Sequence, residues 1–184
     1  MNPWVVLDRD GVINCERNGC VRSVAEWEAL PGSLEAIAAL TRAGFKVVVA
    51  TNQSGIAKGL LTVAELEQIH QKMNDAVERT GGHLHGIFYC PHDSHSGCDC
   101  RKPRTGLLDA IEAHLGADLA GAPMVGDSLK DIQAAKAKGC LPILVRTGKG
   151  TQTETTTLLW PHYGVDTRIF DDLAAFADFH IRQH

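Results

Sequence analysis

WVVLDRDGVIN, residues 4–14, decides how the rest of the chain is read. Four apolar residues run directly into two aspartates one residue apart, with a glycine behind them. An unbroken apolar run of this length suits a strand buried on both faces, and the sudden polar cluster marks its end. Asp8 and Asp10 are therefore expected together, just past the carboxyl end of a first strand.

Further short apolar runs stand at 45–51, 86–90, 123–127, 141–146 and 167–170. Between them lie amphipathic stretches at 32–44, 62–81, 105–116, 128–139 and 171–183, which predict helices. Thr62 with Glu65, and Ser128 with Asp131, have the spacing of capping boxes, while Gly44, Gly81, Gly116 and Gly139 stand at the stops. The alternation predicts an α/β fold, a doubly wound, mainly parallel sheet covered on both faces. With 184 residues, 44% of them hydrophobic, the chain suits a single domain over 1–184. Open α/β sheets bind ligands beyond the carboxyl ends of their strands. That edge would gather Asp8 and Asp10, Thr51 and Asn52, a Cys-rich loop carrying Arg101 and Lys102, and Asp127.

A net charge of −4, a pI near 6.1 and 5% aromatics argue against a nucleic-acid partner. No segment reaches the roughly 18 apolar residues of a membrane span, and the N-terminal segment lacks the basic lead of a signal peptide. A cytoplasmic monomer with a small-molecule ligand is the expectation. The tract TQTETTT at 151–157 is a small low-complexity segment.

Three aspartates at one rim repel each other unless a cation holds them, and an all-oxygen donor set suits Mg²⁺. Such an ion wants an anion to share. Lys102, with the hydroxyl and amides at Thr51 and Asn52, can receive phosphate oxygens, which points to phosphoryl transfer. Taken singly, an aspartate after a strand is commonly a turn residue, and an isolated lysine is commonly a solvated one. Asp131 has an equally good structural use as the acid of a capping box.

CPHDSHSGCDCRKP, residues 90–103, holds three of the chain's six cysteines. Cys90 and His92, then Cys98 and Cys100, offer two ligand pairs suited to tetrahedral Zn²⁺ in a closed, structural loop over 90–100. That clip would fix Arg101 and Lys102 at the rim. His95 is an alternative ligand to His92. A disulfide is disfavoured without a secretion signal, and Cys98-x-Cys100 lacks the two-residue gap of a thioredoxin-type pair. Cys15 and Cys20 have no assigned role, and Cys140 reads as a small buried residue.

LDRDGVIN, Thr51 after its apolar run, Lys102 and Gly126-Asp127-Ser128 with Asp131 fall in the order of four motifs. In this the chain resembles the haloacid dehalogenase-like phosphatases, and CPH followed by CDCRKP resembles their zinc-containing branch. The resemblance spans essentially the whole sequence. It implies a Rossmann-like phosphatase core in which Asp8 is the nucleophile forming an aspartyl-phosphate, and Asp10 is the general acid and base. Mg²⁺ would be held by Asp8, the backbone carbonyl of Asp10, and Asp127, with Thr51 and Lys102 neutralising the phosphoryl group. No cap domain fits between the elements, so the cleft is expected to be open and selectivity to come from loops. Glu16, Arg17 and Asn18, with Asn52, Gln53 and Ser54, would face the substrate. Arg101 would meet a distal phosphate, and Ser128 occupies a substrate-facing position where some members carry lysine. The resemblance further implies a sugar phosphate substrate, a heptose bisphosphate ahead of histidinol phosphate, in carbohydrate metabolism leading to lipopolysaccharide or another surface glycan. A receiver-like signalling domain is the rival of a different class, but its phosphorylated aspartate would follow the third strand, where this chain has cysteines. A zinc-ribbon nucleic-acid module would need a basic, aromatic surface.

Overall fold

In a computed structural model, which describes residues 2–17, 19–156 and 160–183, β1 (Trp4–Leu7) lies at the heart of a six-stranded sheet. The other strands are β2 (Lys46–Asn52), β3 (Leu84–Cys90), β4 (Pro123–Gly126), β5 (Leu141–Val145) and β6 (Arg168–Phe170), in the order β3-β2-β1-β4-β5-β6. Every neighbouring pair is parallel.

The alternation along β1 explains why its sequence is apolar throughout. Val5 and Leu7 join one core with residues of α1 (Ser33–Arg42), α2 (Val63–Arg79) and α7 (Leu173–Arg182). Trp4 and Val6 face the opposite core, with residues of α3 (Gly106–Leu115) and α4 (Leu129–Lys138). A strand sandwiched between two helical layers has no solvent face on which to place a polar side chain.

Thr62 and Glu65 form the reciprocal capping box at α2, and Gly116 and Gly139 end α3 and α4 in left-handed conformations. Most of the polar tract at 151–157 differs from a plain low-complexity segment, because Gly150–Thr156 forms α5; Thr157 lies outside the described residues, and Trp160–Tyr163 forms α6. Thr153 docks α5 by donating its buried hydroxyl to the carbonyl of Asp127 at 2.8 Å.

Chain order reverses at β1, which has β2 on one side and β4 on the other, so a crevice opens at their carboxyl ends. Among its described residues the connection from β1 to α1 carries a short 3-10 turn (Val24–Glu26) and isolated bridges joining Asn14 to Asp10 and Ala29, and 53–62 contains neither helix nor strand. Among the described residues, neither connection builds a domain over the crevice. Among the described residues, no helix is long and apolar enough to cross a membrane.

Candidate active site

Lys102 reaches inward from the end of the Cys-rich loop and is almost wholly buried. Its ammonium lies 3.0 Å from Asp8 Oδ1 and 2.6 Å from Asp131 Oδ1, and donates to the carbonyl of Ala50 at 2.7 Å. Burial alone would lower the lysine's pKa, but the carboxylates of Asp131 and Asp8 outweigh it and hold the pKa above its usual value. Asp8 is nevertheless pushed up to about 7, by burial first and then by the charge of Asp131. Asp127 is pushed up to about 8 by burial and by the charges of Asp8 and Asp131. One ammonium thus does not neutralise the three carboxylates.

That imbalance tests the fit of a divalent cation. Ligand oxygens of Asp8, Asp127 and Asp131 lie within 4.8 Å of one another. Asp131, however, has both oxygens engaged: Oδ1 with Lys102, and Oδ2 with the amide and hydroxyl of Ser128 at 3.1 and 2.6 Å. Its capping and lysine-pairing use therefore leaves Asp8 and Asp127 as the carboxylates able to hold Mg²⁺, a hard-oxygen pair that fits this ion. Gly11 (φ +80°) keeps room for them, since a side chain there would run into the carboxylate of Asp127.

Asp10 sits in a different field. Arg9 Nη2 approaches its oxygens at 3.0 and 3.2 Å, Asn14 donates to Oδ1 at 3.0 Å, and Gln53 donates to Oδ2 at 2.9 Å. Burial works to raise the pKa, but the Arg9 guanidinium and these donors prevail and hold Asp10 below the usual carboxylate range. Arg9, Asn14 and His70 were absent from the sequence-based site. A signal existed for His70, which shares the buried stripe of Leu66, Ile69, Met73 and Val77 on α2.

A cavity of about 530 Å³ opens over this rim. Asp8, Asp10, Glu16, Arg17, Asn52, Gln53, Ser54, Arg101, Lys102, Asp127 and Ser128 all line it, whereas Asn18 lies outside the described residues. Several do so with their polar atoms already committed. Asn52 clasps Lys102, accepting from its amide and donating to its carbonyl at 3.1 Å, and the Ser128 hydroxyl spends its proton on Asp131. Thr51 is buried beneath the cavity, its Oγ1 accepting from Gln53 at 2.9 Å. Arg17 pairs with Glu28 at 3.1 Å, on the solvent side. Lys130 and Lys149 also line the cavity, the latter paired with Glu16, and neither was singled out by the sequence pattern.

The four expected zinc ligands converge. Cys90 Sγ lies 3.7 Å from Cys98 Sγ and 3.2 Å from Cys100 Sγ, and His92 Nδ1 lies 3.3 Å from Cys100 Sγ. A tetrahedron with Zn–S bonds of about 2.3 Å has S···S edges of about 3.8 Å, so the donor set and its spacing fit this ion. His95 is outside the group, its amide turned to Asp93. The described cysteines form no disulfide. Arg101 donates to the carbonyl of His92 at 3.1 Å, which ties the cluster to the cavity wall.

Residues 99–176 match the model of the HAD-hydrolase-like family. Sheet order, strand-end aspartates and buried lysine together define a haloacid dehalogenase-like phosphatase. Over 173 residues, and 94% of each chain, the sequence is 49% identical to the D-glycero-beta-D-manno-heptose-1,7-bisphosphate 7-phosphatase of Pseudomonas aeruginosa. Its counterpart from Bordetella bronchiseptica is 50% identical over 174 residues, 95% of each chain. The crystal structure of D,D-heptose 1.7-bisphosphate phosphatase from B. bronchiseptica, complexed with magnesium and phosphate, aligns with a TM-score of 0.92 at 48% identity, covering 98% of this chain and 99% of that one. The chain belongs to the family of D-glycero-beta-D-manno-heptose-1,7-bisphosphate 7-phosphatases.

Proposed function

We propose that the protein removes the 7-phosphate of D-glycero-β-D-manno-heptose 1,7-bisphosphate, giving heptose 1-phosphate and inorganic phosphate. The observation that carries the reading is Asp8 paired with Lys102 beside Asp127, facing a cavity walled by Arg101, in a chain about half identical to relatives of that name. A carboxylate oxygen of Asp8 attacks phosphorus, the bond from phosphorus to O7 breaks, and Asp10 gives its proton to that oxygen. Water then attacks the aspartyl-phosphate, Asp10 takes the proton, and cleavage of the acyl-phosphate linkage frees Asp8. Lys102, fixed against Asp8, opposes the negative charge that builds on the phosphoryl oxygens. Asp8, Asp127 and the backbone carbonyl of Asp10 would hold Mg²⁺, which would supply Lewis-acid charge neutralisation there.

Zn²⁺ at Cys90, His92, Cys98 and Cys100 is structural, because four protein ligands close the site. Arg101, braced by His92, faces the phosphate that stays on the sugar. Glu16, Arg17, Gln53 and Ser54 contact hydroxyls or phosphate around the cavity. The protein acts as a cytoplasmic monomer and as one domain, a setting in which free thiolates persist for zinc.

Phosphate release with Mg²⁺, measured on both anomers of heptose 1,7-bisphosphate and on histidinol phosphate, tests the assignment. The β anomer should exceed histidinol phosphate by at least about a hundredfold in kcat/KM, which is about 2.7 kcal/mol of transition-state discrimination. A preference for histidinol phosphate would overturn it.

A further inference from the structure

Arg9 is wholly buried and does not line the cavity, so no substrate group reaches its charge. Placing a guanidinium out of water costs several kcal/mol unless its partners compensate. Its two partners are informative. Nη2 lies across both oxygens of Asp10, at 3.0 and 3.2 Å, and Nη1 lies 3.0 Å from Nε2 of His70. Arginine has no acceptor, so Nε2 must accept and the imidazole proton must be on Nδ1. His70 is fixed in turn by α2, where Leu66, Ile69, Met73 and Val77 are packed in the core beside it.

We infer that Arg9 and His70 are positioning residues which fix the carboxyl group of Asp10 for proton transfer to and from the reacting oxygens. The inference rests on the proposed acid–base role of Asp10. The chain of contacts runs from a core helix through a buried fork to one face of the carboxyl group, while Asn14 and Gln53 hold its two oxygens from other directions. A carboxyl group so held keeps one orientation, and an angular error in a proton donor is costly, since a 1 Å misplacement can lose about a hundredfold in rate. Burial and the adjacent guanidinium keep the His70 pKa near about 3, so the imidazole stays a neutral acceptor throughout.

The experiment compares two leaving groups. The sugar alkoxide needs the proton of Asp10, whereas 4-nitrophenolate leaves without one, and kcat/KM reports the steps up to phosphoryl transfer. His70→Ala should lower kcat/KM on heptose 1,7-bisphosphate by about tenfold or more, a part of the roughly 10²–10⁴ that general acid–base catalysis contributes, and on 4-nitrophenyl phosphate by less than about threefold. His70→Gln, whose carbonyl can accept from Arg9, should bring the sugar phosphate rate back to within about threefold of wild type. Equal losses on both substrates, no loss on either, or no recovery with Gln would overturn the inference. Should His70→Ala fail to fold, Arg9→Lys makes the same comparison, because a point charge cannot serve Asp10 and His70 as a planar fork does. Wild-type protein inert toward the heptose bisphosphate would overturn the substrate assignment instead, and the leaving-group comparison would then use an alkyl phosphate that wild type does hydrolyse.

Discussion

Asp8 and Asp10 are two residues apart and oppositely tuned. Asp8 is raised to about 7 because burial and Asp131 together exceed the pull of Lys102, while Asp10 is lowered because Arg9, Asn14 and Gln53 overcome its burial. With neither cation nor substrate bound, this order runs against the proposed tasks of an ionised nucleophile and a protonated acid; a cation at Asp8 favours its ionised form, and an anionic phosphate beside Asp10 favours its protonated one. Asp8→Asn keeps the side-chain shape and removes the proposed nucleophile. Turnover should fall by about three orders of magnitude or more, as measured by phosphate release, with zinc content and circular dichroism unchanged. Without Mg²⁺ this variant should melt no lower than wild type, because it relieves carboxylate crowding. At this scale the sequence was informative where a residue's meaning follows from its position on a strand end, as for Asp8, Asp10 and Asp127. It was silent on Arg9, Asn14 and Lys149, whose meaning comes from partners brought in by tertiary packing.

Among the elements, the cysteine loop has the most to lose. Residues 90–103 hold Arg101 through His92 and present the backbone of Lys102 to Asn52, so the loop sets two cations at once. Cys98→Ser should release zinc, raise KM and lower kcat for the bisphosphate, as read by metal analysis and steady-state kinetics; full metal content with unchanged kinetics would refute the clip. Strands and helices were legible to within about two residues because glycines and capping pairs mark their ends. The exceptions were α5 and α6. Threonine is a weak helix former, and α5 depends on tertiary anchors such as Thr153 on Asp127 and Glu154 on Arg146 at 2.9 Å, which no local pattern announces.

Across the whole molecule, the carboxylate rim would couple Mg²⁺ binding to folding. Asp8 and Asp127 bind protons more tightly folded than unfolded, since their pKa values rise from 3.8 to about 7 and about 8. Their contribution to metal-free stability is therefore greatest below about pH 4 and is lost as pH rises through about 7 to 8. Mg²⁺ needs the ionised carboxylates, so its effect on Tm should be small at pH 5 and largest above pH 8. Mg²⁺ at a hundred times its Kd contributes about 2.7 kcal/mol, or about 5–10 °C for a chain of this size, in a thermal melt with and without the ion. A shift equal at both pH values would contradict this coupling. The architecture itself was readable from the repeated strand and helix lengths, whereas the strand order needed the structure. Lys102 gives that order a further meaning. Its ammonium touches Asp8 past β1, Ala50 within β2 and Asp131 on α4, behind β4. A slip between any two of these strands would strand a buried ammonium, at a cost of several kcal/mol. The lysine thus serves as a spirit level for the sheet, and a mis-registered molecule is penalised by the same side chain that would meet the phosphate.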